Sequence, residues 1–174
     1  ALSGLWGKPT IINNVETLGT LPNILRNGAD WYSQYGTESS KGTKTFSLVG
    51  KVRRTGLIEV PLGTTLRKVI FEIGGGLVKE FKAVQTGGPS GGCLGQEFLD
   101  TPIDYENLAA AGSIMGSGGL IVIDRDTCIV DTAKYYLSFT QAESCGKCVP
   151  CRVGTRHLVN ILTKICKGQG ELTD

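Results

Sequence analysis

Three cysteines at equal spacing are the residues of this sequence best suited to chemistry. Cys145, Cys148 and Cys151 lie in the run E-S-C-G-K-C-V-P-C-R, which spans Glu143–Arg152. A disulfide pairs two thiols, whereas three thiols in one short run suit a cluster in which each cysteine binds a different iron. Zinc also accepts thiolates, but usually from two separated pairs. The spacing therefore predicts a metal centre and favours iron–sulfur over zinc.

A cubane cluster of this kind normally takes four protein ligands. A helix from Cys151 to Cys166 would separate these residues by roughly 22 Å, which is too far for one cluster. Cys166 is predicted to be a buried structural thiol on the apolar side of that helix. Cys128 is expected at the same far end. Cys93 stays open as a ligand, but the favoured alternative places the fourth cysteine beyond Asp174.

Helices are expected on both sides of the cysteine run. Apolar residues after Thr127 recur at helical spacing and predict a helix that ends near Glu143. Pro150 suits an early position of a second helix, which ends at Gly168. Its apolar stripe consists of Leu158, Ile161, Leu162 and Ile165. The sequence thus predicts two helices with the cysteine loop between them.

Basic residues accompany the cysteines. Arg152 and Arg156 are candidates for positive charge near the cluster sulfurs, where such charge raises the reduction potential. A solvated helix face is the competing interpretation, and it is stronger for Arg156. His157 is the only histidine, so a two-histidine metal site is excluded and a surface position is expected.

The middle of the chain predicts an α+β unit. Alternating residues at Thr45–Val52 and Gly56–Val60 indicate a β-hairpin. Thr64 or Thr65 then caps a helix that ends at Gly74. Further strands are predicted at Phe81–Gln85 and Gly119–Ile123, with a helical turn near 104–110. This order is that of a ubiquitin-like β-grasp domain, a small mixed sheet wrapped on one helix.

The N-terminal segment reads as extended backbone followed by helices. Asn14 is a plausible N-cap, and Glu16 suits the start of a helix dipole. Pro22 is expected to kink or break this first helix. A second short helix is predicted from Asn27 to Tyr35. In the glycine-rich run 87–92 the lysine and Ser/Thr of a P-loop are missing, so a tight turn is expected there.

Composition restricts the class of protein. The 174 residues are 40% hydrophobic and carry a net charge of +2, which is typical of a globular chain and gives no electrostatic case for nucleic acid. No apolar run reaches the roughly 20 residues of a membrane span. Six cysteines without a secretion signal point to a reducing compartment. Because the chain does not begin with methionine, it is expected to be an excised piece or a processed product of a longer protein.

Several motifs together resemble one family. The run E-S-C-G-K-C-V-P-C-R-V-G-T-R is similar to the cluster motif of the NADH-binding flavoprotein subunit of complex I. The same subunit type occurs in NAD(P)-reducing hydrogenases and NAD-dependent formate dehydrogenases. The run G-L-W-G-K-P-T-I-I-N-N-V-E-T-L resembles the stretch that closes that subunit's flavin domain. Residues 45–124, which include G-G-P-S-G-G, resemble its soluble ligand-binding β-grasp domain. The resemblance therefore covers essentially the whole chain.

The resemblance implies an electron route. NADH reduces FMN, and the flavin passes electrons to a 4Fe–4S cluster held by Cys145, Cys148 and Cys151. In the family the fourth cysteine follows several helical turns later. Asn13 and Asn14 match an asparagine pair near the flavin, so they are candidate FMN contacts in the intact subunit. The family's FMN and NADH domain has no counterpart here, so this chain alone is not expected to oxidise NADH.

The resemblance also implies an organisation and a setting. Residues 1–43 would be the end of the flavin domain with linker helices, 44–126 the β-grasp domain, and 127–174 the first part of a helical cluster-binding domain. Expected partners are a thioredoxin-like 2Fe–2S subunit and further iron–sulfur, hydrogenase or formate dehydrogenase subunits. The expected location is cytoplasmic, or peripheral on the cytoplasmic side of a membrane complex. The alternative is a non-catalytic β-grasp binding module with a structural zinc or cysteine knot.

Overall fold

A five-stranded mixed sheet forms the centre of the molecule. The computed structural model describes residues 2–174. Its strands are β1 (Thr43–Gly50), β2 (Gly56–Pro61), β3 (Phe81–Thr86), β4 (Cys93–Leu94) and β5 (Gly119–Asp124). They lie in the order β2-β1-β5-β3-β4, with β1 parallel to β5 and the other neighbours antiparallel. The predicted mixture of strands and helices is confirmed, although the short strand β4 was not predicted.

The hydrophobic core lies on one face of this sheet. Alternate residues of β1 are buried, among them Phe46 and Leu48, as the period of two in a strand requires. A π-helical segment, Lys68–Ile73, covers them with Val69 and Ile70. Every member of this core cluster falls between residues 46 and 122. The sheet region therefore has a core of its own.

The helix over the sheet begins and ends where the sequence predicts. Of the two candidate caps, Thr65 is the one used, because its Oγ1 accepts a hydrogen bond from the Lys68 N–H at 3.2 Å. Thr64 instead donates its hydroxyl to the Pro61 carbonyl. The Gly74 N–H closes the last turn on the Val69 carbonyl at 2.9 Å. Local hydrogen bonding thus sets both ends.

Within residues 2–174, a 3₁₀ turn at Leu5–Gly7 and two α-helices, α1 (Val15–Asn27) and α2 (Ala29–Ser33), precede the sheet. The predicted cap is confirmed, since the Asn14 side chain accepts from the Glu16 N–H at 2.8 Å. The predicted break at Pro22 is wrong, because α1 continues through it as one helix. Proline removes only one donor, and the helix is long enough to retain bonds on either side.

α1 is tied to the sheet by a polar contact. Glu16 forms an ion pair with Lys44 and accepts a hydrogen bond from the Thr45 N–H at 2.7 Å. No residue of α1 or α2 is fully buried. The ion pair is therefore a main tether of α1 to the sheet.

Of the remaining helices, one belongs to the sheet region and two follow it. α3 (Tyr105–Ala110) is capped by Asp104, whose carboxylate accepts from the Asn107 N–H at 2.7 Å. α4 (Ile129–Ala142) and α5 (Thr155–Cys166) come last. Across residues 2–174, none of the helices has the length and apolar character needed to cross a membrane.

Candidate metal centre

The helical hairpin α4–α5 carries the cysteine loop at its connection. The two helices pack on each other, and residues 143–149 join them. A π-helical turn, Pro150–Gly154, leads directly into α5. Pro150 opens this turn as predicted, at a position where a missing N–H costs no hydrogen bond. The sequence therefore placed the cysteines correctly at one end of a hairpin.

The three thiols share this loop but differ in exposure. Cys145 and Cys148 are exposed, whereas Cys151 is half-buried. Within residues 2–174, no three His, Cys, Asp or Glu side chains form a group that could hold a metal ion. The donor set itself fits an iron–sulfur cluster, because it consists of three thiols in one short loop.

Ser144 organises the loop around Cys151. Its Oγ lies 3.3 Å from the Cys151 Sγ, and it accepts a hydrogen bond from the Gly146 N–H at 3.2 Å. Gly146 has a φ of +74°, a left-handed conformation that glycine adopts without a Cβ penalty. Sequence reasoning missed Ser144; its position directly before Cys145 was the one available signal.

Arg152 also stabilises this loop. Its Nη1 donates to the Gly146 carbonyl at 2.7 Å, and its backbone N–H donates to the Cys148 carbonyl at 2.9 Å. The expectation that its charge lies near the cluster sulfurs is untested, and its guanidinium group binds a carbonyl oxygen. Arg156 and His157 are exposed on α5, as expected for a solvated helix face.

The other cysteines lie away from the loop. Cys128 directly precedes α4 and Cys166 ends α5, so both belong to the far end of the hairpin as predicted. The prediction that Cys166 is buried is wrong, because it is exposed. Among residues 2–174, α4 is the helix that packs on α5. The last turn of the apolar stripe stays open to solvent, and Ile165 is 44% exposed.

Cys93 occupies β4 at the sheet edge. It borders a cavity of about 200 Å³ that Tyr136 and Leu137 of α4 close from the other side. Desolvation raises the pKa of the Cys93 thiol. The glycine-rich run before it forms a 3₁₀ turn, Gly88–Ser90, between β3 and β4, which agrees with the predicted tight turn.

The two candidate flavin contacts lie at the start of α1. Asn13 and Asn14 are both exposed, and Asn14 borders an open cleft of about 600 Å³ together with Lys44 and Tyr105. Burial alone would raise the pKa of the Glu16 carboxyl in this cleft. The hydrogen bonds from Lys44 and the Thr45 N–H outweigh burial and hold that pKa below its usual value. Asn14 is engaged as the helix cap.

Comparison with known families identifies the hairpin region. The family model described as the NADH-ubiquinone oxidoreductase-F iron-sulfur binding region matches residues 131–174. The match includes all three cysteines of the loop, together with most of α4 and all of α5.

Known proteins resemble the chain over its whole length. It is 60% identical to the NADP-reducing hydrogenase subunit HndC of Solidesulfovibrio fructosivorans and 43% identical to an F-type NADH-quinone oxidoreductase subunit of Rhizobium meliloti. Both alignments cover 100% of this chain, which spans 36% and 42% of those relatives' lengths.

A crystal structure supports the same relationship. The NAD+-reducing nickel–iron hydrogenase in its air-oxidized state matches with a TM-score of 0.80 and 36% identity, over 95% of this chain and 28% of that one. The chain is therefore a homologue of part of the F-type NADH-quinone oxidoreductase and NADP-reducing hydrogenase subunits, and its residues 131–174 match the model of that family's iron–sulfur binding region.

Proposed function

We propose that this chain is the electron-transfer part of an NAD(P)H-linked flavin and iron–sulfur oxidoreductase subunit. The observation that carries the proposal is the family match over residues 131–174, which includes a cysteine loop at the connection of a helical hairpin. A bound 4Fe–4S cluster would supply a one-electron acceptor for the flavin. The chain's own task is to hold that acceptor at the end of the hairpin.

Three residues have the role of cluster ligands in this proposal: Cys145, Cys148 and Cys151. Their shared loop and thiol chemistry support it. The fourth ligand lies outside this chain, beyond Asp174. The position of Cys166 at the opposite end of α5 supports this.

The flavin and nucleotide belong to the longer subunit. FMN and NAD(P)H would bind mainly outside these 174 residues, with Asn13 and Asn14 contributing contacts to the flavin. The relatives are named as subunits of an NADP-reducing hydrogenase and of an NADH-quinone oxidoreductase, which supports partner subunits in general. The proposed partners are a thioredoxin-like 2Fe–2S subunit and further iron–sulfur, hydrogenase or formate dehydrogenase subunits. The proposed location is cytoplasmic, or peripheral on the cytoplasmic side of a membrane complex.

The central sheet is proposed to be a β-grasp domain spanning 44–126. The strand order β2-β1-β5-β3-β4, with parallel central strands and a helix packed on one face, supports this assignment. Residues 1–43 would be the end of a flavin domain with linker helices. Residues 127–174 would begin the helical cluster-binding domain.

Replacing one proposed ligand tests the function. The full-length gene product carrying Cys148→Ala should lose the cluster, measured as iron content and as the EPR signal after reduction. Its flavin content should be unchanged, because Asn13 and Asn14 lie at the other end of the chain. Cys166→Ala is the matched control, since it removes a thiol from the same hairpin without touching the loop, and it should retain full iron content.

Two results would contradict the proposal. One is full iron content in Cys148→Ala. The other is stoichiometric zinc without iron in anaerobically prepared protein, which would support a structural zinc knot instead. The family match and the relatives favour the electron-transfer function over that alternative.

Replacing both Asn13 and Asn14 by alanine should reduce flavin content while leaving iron in place.

A further inference from the structure

Among residues 2–174, Ser144 is the side chain outside the cysteines that hydrogen-bonds a proposed ligand sulfur. Its Oγ lies 3.3 Å from the Sγ of Cys151. Of the three loop cysteines, Cys151 is the half-buried one, and the other two are exposed. Less water reaches the Cys151 sulfur, so a hydrogen bond to it is weakened less by water than a bond to either exposed sulfur would be.

The direction of this hydrogen bond follows from the rest of the network. The Gly146 N–H donates to the Ser144 Oγ at 3.2 Å, which occupies a lone pair of the hydroxyl. A serine hydroxyl has a single proton to donate. A cysteine that binds metal does so as a thiolate, which accepts hydrogen bonds and cannot donate them. The Ser144 hydroxyl proton must then point to the Cys151 sulfur.

Arg152 supports the same geometry. Its Nη1 donates to the Gly146 carbonyl at 2.7 Å. The Gly146 N–H and carbonyl belong to adjacent peptide units, so Ser144 and Arg152 hold the backbone of Gly146 from both sides. Three residues thus form one path, from the Arg152 guanidinium through Gly146 to the Ser144 hydroxyl.

We propose that Ser144 is a positioning residue that donates a hydrogen bond to the Cys151 thiolate and thereby raises the reduction potential of the cluster. This inference rests on the proposed function, because it requires Cys151 to be a ligand. Reduction adds negative charge that spreads onto the sulfurs, so a donor at a sulfur stabilises the reduced state more than the oxidised one. Removing the donor should shift the midpoint potential to more negative values.

Redox titration of three variants tests this role. The full-length gene product carrying Ser144→Ala should keep its iron but show a more negative midpoint potential, followed by the EPR signal of the reduced cluster. Ser144→Thr retains the hydroxyl and should restore the original potential. Ser138→Ala is the matched control: the same hydroxyl is removed from α4, where it bonds only the Lys134 carbonyl, and the potential should not move.

The outcomes separate this inference from the proposed function. An unmutated protein that binds no iron would refute the proposed function itself. With the cluster present, an unchanged potential in Ser144→Ala refutes the hydrogen bond. Loss of iron in Ser144→Ala that Ser144→Thr reverses also refutes the inference, because the hydroxyl would then be needed to retain the cluster and not to set its potential. Equal loss in both variants refutes it, because the hydroxyl would then not be the group that matters.

Discussion

The ion pair between Glu16 and Lys44 should contribute measurably to folding stability. Lys44 lies on the core-facing side of β1, with 9% of its side chain exposed, and Glu16 of α1 is 29% exposed. Glu16→Gln keeps the shape and the acceptor for the Thr45 N–H but removes the negative charge. Lys44 is then left as a largely buried cation without its partner.

The expected cost lies between two limits. Removing one partner of a fully buried pair costs about 3–5 kcal/mol, and a solvent-exposed pair contributes about 0–1 kcal/mol. Glu16 is partly exposed, so water can reach Lys44 once the charge is gone. The single carbonyl oxygen of glutamine can accept from the Thr45 N–H or from Lys44, but not from both as the two carboxylate oxygens do. We therefore expect Glu16→Gln to lower the free energy of unfolding by about 2 kcal/mol.

Equilibrium urea unfolding followed by far-UV circular dichroism measures this value. Asp126→Asn is the matched control, because it breaks an ion pair with Lys79 in which both side chains are more than half exposed; it should cost less than about 1 kcal/mol. The double variant Glu16→Gln with Lys44→Met should be more stable than Glu16→Gln alone, since it also removes the buried cation.

The pH dependence gives an independent check with a definite sign. Despite the opposing effect of burial, the bonds from Lys44 and Thr45 lower the folded-state pKa of Glu16 from 4.5. A lowered pKa stabilises the fold above the unfolded value and ceases to do so as the pH falls through the folded value. The difference between wild type and Glu16→Gln should therefore shrink below about pH 4.5. A cost equal to that of the Asp126→Asn control, or a difference that does not change with pH, would refute the reasoning.

Two further predictions concern the backbone and the independence of the sheet. A Cβ at Gly19 in α1 would meet no atom within 4 Å, so Gly19→Ala should stabilise the protein by about 0.5–1 kcal/mol in urea unfolding. Gly50 has a φ of +93°, and a Cβ there would lie 2.2 Å from the Val122 carbonyl oxygen, so Gly50→Ala should cost more than about 2 kcal/mol. Similar unfolding midpoints for the two variants would contradict this. Residues 44–126 expressed alone should unfold cooperatively on heating, since they contain the whole core cluster, and a melting curve without a transition would show that the flanking helices are needed.

Local features of this protein could be predicted from the sequence because short-range hydrogen bonds determine them. The Asn14 cap, the Thr65 cap and the turn opened by Pro150 each depend on residues within a few positions along the chain. The spacing of the loop cysteines likewise located the candidate metal centre, and the helix rise placed Cys166 at the far end of α5.

Packing between distant segments was decided only by the tertiary structure. The exposure of Cys166 depends on how many helices cover α5, which its apolar stripe does not specify. Strand β4 is too short to show a periodic pattern, and it exists because β3 offers it an edge. Glu16 meets Lys44, and Ser144 meets Cys151, because folding turns the chain back between them. A sequence pattern indicates which face of a helix or strand is apolar. Which side chains then contact one another depends on how the helices and strands pack together in the folded protein.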